Sequence, residues 1–430
     1  MSQLFLGLDL GTSGCRGVVI DKEGVTRAEH SVLLPPSVRQ DDGQSEQNPQ
    51  DWLKAVIMVC QAVCQQLGDE SDAIASIAID GTSSTLLAAD QEGNPLSSAL
   101  MYDDRQATDE ATELSTIAPS DSPVLPPSSS LAKLLYLKKK VAQKFIALHQ
   151  ADWLLGQLCG VFGISDENNA LKMGYDPINR CWPEWIEQLQ LEDGTLPAVY
   201  PVATAMGTIK PEMAEQIGLP TNTLVCTGTT DSTASAIATG IDHPGQGVTV
   251  LGSTLVIKLL SEKPIFSSPH GIYSHRLGDL WLVGGASNSG GAVLLNYFCV
   301  AELAEMAPRL KPDQPTGLDY YPLSRPGERF PHNDPDYPPR QSPRPQDDVM
   351  FFQAMLEGIA NIEAEAYQLL QDLGGPVVSE VLTIGGGSVN EPWRQIRQQR
   401  LNLPVNLAKQ TEAAYGAAIL AKRGFFSVNQ

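Results

Sequence analysis

The chain has 430 residues, 42% of them hydrophobic, and a formal net charge of −21 with only 29 Lys and Arg. This length exceeds what one compact core usually holds, so two domains are expected. The acidic balance, without a basic stripe, argues against nucleic acid and anionic membranes as partners.

The cysteine pattern and the hydropathy of the chain limit the cellular compartments in which we expect this protein. The seven Cys residues lack C-x-x-C spacing, which favours a reducing compartment and argues against a metal cluster. No apolar run approaches the ~20 residues that span a bilayer, and no signal-peptide pattern precedes the first strand. We therefore expect a soluble cytoplasmic protein.

The first predicted element is an apolar strand that ends in a carboxylate and a tight polar turn. Its sequence is Leu6-Gly7-Leu8-Asp9-Leu10-Gly11-Thr12-Ser13-Gly14, and a second apolar strand returns from it. Such a turn can direct backbone N–H groups and two hydroxyl groups at a phosphate, while Asp9 holds a hydrated cation. The spacing matches neither the P-loop nor the Rossmann glycine pattern. An ordinary β-turn is the alternative interpretation.

The elements that follow alternate between helix and strand. We predict an amphipathic helix over 49–67, a buried strand over 74–80, and helices over 129–149 and 151–160. The polar turn 81–85 follows the buried strand at its carboxyl end. Open α/β sheets place ligands at such ends, so this turn is a candidate for sugar binding.

Two later segments repeat the theme of an apolar strand followed by a turn of small residues. The first leads through Gly228-Thr229-Thr230 to Asp231 and a helix of small residues. The second is the triple glycine 385–387, followed by a helix start at Asn390. Glycine backbone can lie flat against a ligand that any Cβ would obstruct. A loose strand-to-helix connection is the alternative for the triple glycine.

The remaining elements surround these turns. A strand–turn–strand over 248–257 places Ser253 at its bend. The stretch 308–345 carries eleven prolines and is predicted to be an ordered flap that extends over the surface. Helices over about 349–373 and 412–422 bracket the triple glycine.

The three turns, in this order, resemble those of the FGGY family of carbohydrate kinases. Four other segments add to the resemblance, which therefore spans essentially the whole chain: 130–138, 166–170, 196–209 and 327–335. It implies an α/β fold of two ribonuclease H-like domains of the actin-like ATPase type, with the active-site cleft between them. The implied domains are 1–238, which is completed by the C-terminal helix 412–430 and carries the sugar and phosphate loop, and 239–411 on the nucleotide side.

The resemblance also implies the roles of individual residues. Asp231 is the expected base for the sugar hydroxyl, although an N-cap role would explain an Asp at this position equally well. Asp9 is expected to hold Mg²⁺, mostly through water. The catalytic set is Asp9, Thr12 and Asp231. The substrate-binding set is Asp9, Ser13, Gly14, Arg16, Thr82, Ser83 and Asp231. The ATP-binding set is Gly11, Thr12, Gly228, Thr229, Ser253, Gly386, Gly387, Asn390 and Trp393.

Two of these assignments carry a further statement. Gly228 and Thr229 are expected to approach the phosphates from the opposite domain. Trp393 is expected to help frame the adenosine, and packing of its helix is the alternative.

The sugar is the least determined part of the prediction. Where xylulokinases have Met-His and glycerol kinases Arg-Glu, this chain has Ser83-Ser84. The resemblance is greatest to compact members similar to D-ribulose kinases, so we expect conversion of D-ribulose to D-ribulose 5-phosphate by Mg·ATP. D-Xylulose is the alternative substrate.

A sugar-independent ATPase of the same fold and a non-catalytic sugar-binding regulator are alternative functions. The chain is expected to act as a monomer or homodimer.

Overall fold

The computed structural model describes residues 3–429 and divides into two compact units. Unit 1 consists of Met1–Ala238 together with Glu412–Gln430, and unit 2 is Thr239–Thr411. Within 3–429, no helix has both the length and the apolar character needed to cross a membrane.

Unit 1 contains thirteen of the strands numbered here and seven of the α-helices. The strands are β1 (Leu4–Leu10), β2 (Gly14–Asp21), β3 (Thr26–Leu33), β4 (Val38–Arg39), β5 (Ser45–Gln47), β6 (Ile74–Gly81), β7 (Leu86–Ala89), β8 (Ala99–Leu100), β9 (Ile146–His149), β10 (Ile164–Asp166), β11 (Ala198–Tyr200), β12 (Ala205–Thr208) and β13 (Leu224–Thr230). The helices are α1 (Pro49–Leu67), α2 (Thr108–Leu114), α3 (Ser130–Lys140), α4 (Gln150–Cys159), α5 (Pro211–Ile217), α6 (Asp231–Ala238) and α11 (Ala413–Val428).

The main sheet of unit 1 has the order β12-β13-β6-β1-β2-β3. β1, β6 and β13 are neighbouring parallel strands, whereas β2, β3 and β12 each run antiparallel to their neighbours. The carboxyl ends of the three parallel strands therefore lie along one edge, where the register pairs Asp9 with Asp80 and Asp80 with Thr229. A five-stranded antiparallel sheet, β4-β5-β8-β7-β9, and the pair β10-β11 complete the unit.

Helix α11 lies directly on β1. A Cβ added to Gly7 would be 2.0 Å from the Ala414 carbonyl oxygen and 2.1 Å from the Ala418 nitrogen. The helix also presents small buried residues to the sheet, which allows the two backbones to approach closely. The beginning and the end of unit 1 are thus joined by backbone contact, with no side chain between them at Gly7.

We expect Gly7→Ala to destabilise unit 1 by about 3 kcal/mol or more, because the new methyl group overlaps rigid helix backbone. Chemical denaturation of the purified variant measures this loss. Gly386→Ala is the matched control, since its Cβ would meet nothing within 4 Å and its φ is not in the left-handed region. Equal stability of the two variants would contradict the packing described for β1 and α11.

Unit 2 repeats the topology of the main sheet of unit 1. Its strands are β14 (Gln246–Leu251), β15 (Leu255–Ser261), β16 (Tyr273–Leu277), β17 (Leu280–Ser287), β18 (Glu380–Ile384) and β19 (Val405–Leu407), and its α-helices are α7 (Gly291–Leu294), α8 (Val300–Met306), α9 (Asp348–Asp372) and α10 (Glu391–Leu401). The sheet order is β16-β17-β15-β14-β18-β19, with β18 and β19 parallel to β14. In both units the first strand thus has an antiparallel neighbour on one side and a parallel neighbour on the other, while the antiparallel edge strands β12 in unit 1 and β16 in unit 2 lie at different ends of this common arrangement.

The proline-rich stretch is ordered, as predicted, but it is not only a surface feature. Four of its side chains are at most 3% exposed and belong to the core of unit 2: Tyr320, Tyr321, Leu323 and Phe330. Isolated bridges join Tyr321 to Arg340 and Glu328 to Asp334. The buried aromatic residues anchor a segment that forms no regular strand or helix between 310 and 347.

The structure confirms some predicted elements and corrects one. The helix over 49–67 and the strand over 74–80 are present as α1 and β6. The helix predicted over 129–149 is wrong beyond Lys140. There Val141 adopts an extended conformation, and 146–149 forms β9, which pairs with β7. Pairing with a buried neighbouring strand prevails over continuation of the helix at this point.

Candidate active site

Three carboxyl groups of unit 1 lie at the carboxyl ends of adjacent parallel strands. Asp9 lies near the end of β1, Asp80 near the end of β6, and Asp231 directly after β13 as the first residue of α6. Asp80 is completely buried, whereas Asp9 and Asp231 are partly exposed. The strand order alone therefore brings together two predicted catalytic residues and a third acidic residue.

The electrostatics of the cluster follow from burial and mutual repulsion. Desolvation raises the pKa of Asp9, against the lowering effects of a hydrogen bond with Asp80 and of the nearby Arg16 guanidinium. The pKa of Asp80 is raised well above its usual range, first by desolvation and then by the charges of Asp9 and Asp231. A proton shared between Asp80 and Asp9 relieves this repulsion. Asp80 accepts no hydrogen bond from an N–H or hydroxyl donor in the described part of the chain.

This arrangement fits a divalent cation. Two adjacent, desolvated carboxyl groups are costly when both are ionised, and a bound cation offsets that cost. In residues 3–429 no group of three or more His, Cys, Asp or Glu side chains has the arrangement of a metal centre. Mg²⁺ keeps several water ligands and needs only one or two protein carboxylates, which the pair of Asp9 and Asp80 can supply. Asp9 is the residue that would hold it.

Asp231 is the first residue of α6, next to the N-cap position that the alternative interpretation assigns to it, and its side chain has access to solvent. Its Oδ1 accepts a 2.7 Å hydrogen bond from the Ser232 backbone nitrogen. Its charge acts on Asp80, which places the carboxylate beside the cluster. The structure is thus compatible with both interpretations of this residue, and its role as the base remains a prediction.

The first turn leaves its two hydroxyl residues accessible. Thr12 is half-buried and its carbonyl accepts a 2.8 Å hydrogen bond from Gln47 Nε2, whereas Ser13 is exposed. The turn is closed by a 3.0 Å hydrogen bond from the Gly11 nitrogen to the Gly14 carbonyl. Arg16, opposite Asp9 in the register, forms an ion pair with Glu412 in front of α11. Its guanidinium is thus already partnered within unit 1.

The polar turn after β6 is stabilised by hydrogen bonds to buried side chains. Thr82 is buried, and its hydroxyl group lies 2.5 Å from that of Thr85 and donates to Gln150 Oε1 at 2.9 Å. Ser83 is half-buried and Ser84 is buried. The hydroxyl group that the turn presents is therefore that of Ser83, while Thr82 stabilises the turn internally.

Gly228 and Thr229 correct one expectation. Both lie on β13 in the same sheet as Asp9, not in the opposite domain. A Cβ at Gly228 would be 1.6 Å from the Ile79 carbonyl oxygen, so this glycine permits close pairing of β13 with β6. The Thr229 hydroxyl group is buried and accepts a 3.0 Å hydrogen bond from Asn168 Nδ2. These contacts give both residues a packing role.

The two glycine-containing turns of unit 2 that the sequence predicts lie together. The hairpin turn 252–254 presents the exposed Ser253, and the triple glycine packs against Leu251, whose carbonyl oxygen would be 2.7 Å from a Cβ at Gly385. A Cβ at Gly387 would be 2.6 Å from the Trp393 ring. Gly386, in contrast, is exposed with nothing within 4 Å of its Cβ position. Packing therefore explains Gly385 and Gly387, while Gly386 leaves open space beside bare backbone.

Asn390 and Trp393 have structural partners. The Asn390 side chain caps α10 by accepting a 3.0 Å hydrogen bond from the Trp393 nitrogen. Trp393 is 3% exposed, and its indole N–H donates to the Leu356 carbonyl at 3.2 Å. Its position favours the packing alternative, in which Trp393 supports the triple glycine from the core.

Two features were missed from the sequence. The first is Asp80. It lies at the end of an apolar strand, as Asp9 does, and this common position could have indicated that Asp80 belongs to the site. In unit 2, Gly290-Gly291 follows β17 and lies on the hairpin turn, with a 2.9 Å hydrogen bond from the Gly291 nitrogen to the Gly252 carbonyl. A Cβ at Gly290 would be 2.8 Å from the Ser253 carbonyl oxygen. A glycine pair after an apolar strand was the signal for this turn.

We expect Asp80→Asn to stabilise the magnesium-free protein at alkaline pH. Because the pKa of Asp80 is raised, the folded state keeps a proton that the unfolded state releases above about pH 4. The free energy of unfolding of the wild type therefore falls as the pH rises from about 4 to the folded pKa of Asp80. The amide has no such proton to lose. The advantage of the variant should therefore widen from pH 5 to pH 8, by up to about 1.4 kcal/mol for each pH unit over which the folded state keeps the proton.

Urea denaturation in EDTA at several pH values measures the effect. Asp90→Asn is the control, because hydrogen bonds from Asn94 lower the pKa of Asp90, so that this carboxylate is ionised in both the folded and the unfolded state from pH 5 to pH 8 and its effect on stability should not change over that range. A constant stability difference for Asp80→Asn between pH 5 and pH 8 would contradict the raised pKa of Asp80.

The duplicated sheet topology and the acidic edge of unit 1 define an α/β protein of the actin-like ATPase class, which includes the sugar kinases. Family models match nearly the whole chain: the N-terminal domain of the FGGY family of carbohydrate kinases over residues 4–238, and its C-terminal domain over 247–425. The chain belongs to this family, whose sugar kinases use ATP with Mg²⁺.

Individual relatives extend over the same length. The chain is 26% identical to a xylulose kinase of Bacillus subtilis (strain 168), covering 97% of this chain and 88% of that protein. It is 23% identical to a gluconokinase of the same organism, over 98% and 87%. The crystal structure of a xylulose kinase from Rhodospirillum rubrum has a TM-score of 0.86 at 22% identity, covering 98% of this chain and 90% of that one. The last similarity concerns the fold alone.

Proposed function

We propose that this kinase transfers the γ-phosphate of ATP to a ketopentose, with D-ribulose as substrate and D-ribulose 5-phosphate as product. The observation that supports a transferase, rather than a sugar-independent ATPase, is the position of Asp231. The partly exposed carboxylate of Asp231 stands beside the partly exposed Asp9 and the buried Asp80, which is where a base for an incoming hydroxyl group is needed.

The proposed step is an in-line displacement at phosphorus. The Asp231 carboxylate accepts the proton of the sugar hydroxyl, the hydroxyl oxygen forms a bond to the γ-phosphorus, and the bond from that phosphorus to the bridging oxygen of ADP breaks. Phosphoryl transfer needs positioning and charge neutralisation more than covalent chemistry from the protein. Mg²⁺, held by Asp9, supplies part of that neutralisation when bound.

The chain must hold a polyanionic nucleotide with few cations. Backbone N–H and hydroxyl groups are therefore the proposed phosphate contacts, from 11–13 in unit 1 and from Ser253 in unit 2. Gly386, whose exposed backbone has open space beside it, is the proposed point of close nucleotide approach. A carboxylate cluster with local neutral donors is consistent with the overall charge of −21.

The choice of sugar rests on the turn after β6. Ser83 presents a small hydroxyl group, and the turn carries no imidazole or guanidinium group. The choice of D-ribulose follows the resemblance to compact D-ribulose kinases that is inferred from the sequence. D-Xylulose is the second candidate, because relatives over the full length are named xylulose kinases. We further propose that the kinase works in the cytoplasm, as a monomer or homodimer.

The substrate is tested by ADP release with Mg·ATP across D-ribulose, D-xylulose, gluconate and glycerol, beside a sugar-free control. We expect D-ribulose to raise the rate by more than about tenfold, which corresponds to ~1.4 kcal/mol of discrimination. A rise with D-xylulose alone would transfer the proposal to the second candidate. ADP release that is indifferent to every sugar would refute the proposed function.

Asp231→Asn tests the base. We expect sugar phosphorylation to fall by about 10²- to 10⁴-fold while the affinity for Mg·ATP changes little, because an amide cannot accept the proton. Isothermal titration with a non-hydrolysable ATP analogue and an assay of the sugar phosphate measure the two quantities. Asp347→Asn, at the exposed N-cap of α9, is the control for a capping carboxylate, because the Asp347 side chain accepts a 2.9 Å hydrogen bond from the Val349 nitrogen. Loss of stability in both variants, with phosphorylation retained, would instead indicate a capping role.

A further inference from the structure

A lysine is buried beneath the polar turn that carries Ser83. Lys133, on the first turn of α3, is 0% exposed. Its Nζ donates to the Ser84 carbonyl at 2.9 Å and to the Met101 carbonyl at 2.6 Å. It forms no ion pair with any of residues 3–429. Two backbone carbonyls are thus the hydrogen-bond partners of a fully buried amino group.

Such a lysine is costly for the fold. Taking an ammonium group out of water is unfavourable unless a carboxylate compensates it. Desolvation lowers the pKa of Lys133 to about 7, with the charges of Asp104 and Asp103 acting in the opposite direction and that of Lys172 adding to the lowering. A neutral amino group still has two N–H donors, which match the two carbonyl acceptors.

The two carbonyls belong to segments whose placement matters for the acceptor. Ser84 has φ of 71°, a left-handed conformation that is unfavourable for a residue with a Cβ and needs external support. Met101 begins the segment after β8, and Leu100 of that strand pairs with Leu86 just beyond the polar turn. Lys133 therefore joins the turn 82–85 to the neighbouring segment 101–104 from below.

We propose that Lys133 is a positioning residue for the sugar acceptor. Lys133 binds the Ser84 carbonyl, which holds Ser84 in its left-handed backbone conformation, and it binds the Met101 carbonyl at the same time. These two hydrogen bonds fix the position of the Ser83 hydroxyl group, although Lys133 does not contact the substrate. This rests on the proposed function for the identity of the acceptor. The hydrogen-bond geometry itself does not depend on which sugar is used.

The test is Lys133→Met, which keeps the length and apolar stem but has no donor. We expect the KM for the sugar to rise at least about tenfold. The KM for ATP and sugar-free ADP release should stay within about twofold of wild type. Lys138→Met is the matched control, because Lys138 lies on the same helix and also donates to two carbonyls, those of Leu189 and Gln190, away from the polar turn. The control should leave the KM for the sugar unchanged.

Hydrogen exchange provides a readout that is independent of activity. The Thr85 and Asp104 amides close the two segments by donating to the Thr82 and Met101 carbonyls at 3.3 and 2.9 Å. Faster exchange at both amides in Lys133→Met, but not in Lys138→Met, supports the proposal. If the wild-type enzyme uses no sugar, the proposed function fails, and this comparison alone decides the role of Lys133.

Three results would overturn the proposal: an unchanged KM for the sugar, an equal loss in sugar-free ADP release, or unchanged exchange at both amides. If Lys133→Met does not fold, Lys133→Leu takes its place, with a shorter apolar side chain that also has no donor. A selective rise of at least about threefold in the KM for the sugar then supports the proposal, and an unchanged value overturns it.

Discussion

Close approach of backbone to backbone around β1 is the constraint on which unit 1 depends. Gly7 brings β1 against α11, and Gly228 brings β13 against β6. Gly416 lets α11 meet α6, since its Cβ would be 1.9 Å from the Ala234 carbonyl oxygen. With these distances fixed, Asp9 and Asp231 can only stand near Asp80, and their separation is set by rigid backbone. The acidic edge is thus a property of the scaffold and not of flexible loops.

The same closeness explains why the cluster is electrostatically expensive. Strand ends in a tight parallel register place Asp9 and Asp80 directly opposite each other, where water cannot separate their charges. A protein with relaxed spacing would have less repulsion to offset, but also less attraction for a cation. The close spacing of the carboxyl groups therefore lowers the stability of the cation-free protein and strengthens the attraction of the site for a cation.

The sequence supported the class of fold and the three turns, because alternating apolar segments and glycine-rich turns are local signals. It could not show which polar residues of a motif face solvent. Thr229 and Thr82 are used inside the protein, and only Ser83 of the polar turn is presented. The triple glycine likewise divides into two positions required by packing and one that is not. The early end of α3 and the importance of Asp80 both depend on partners far away in the chain, which local patterns do not contain.

The assignment of α11 to unit 1 has a consequence for biosynthesis. This helix is made after all of unit 2, yet it covers β1 at Gly7 and packs against α6. On the ribosome, the strands that carry Asp9 and Asp80 are therefore synthesised long before the helix that buries them. Unit 2 is continuous in sequence, whereas the packing of unit 1 is completed only when α11 has been synthesised. A chain that ended before α11 would leave the face of β1 at Gly7 uncovered.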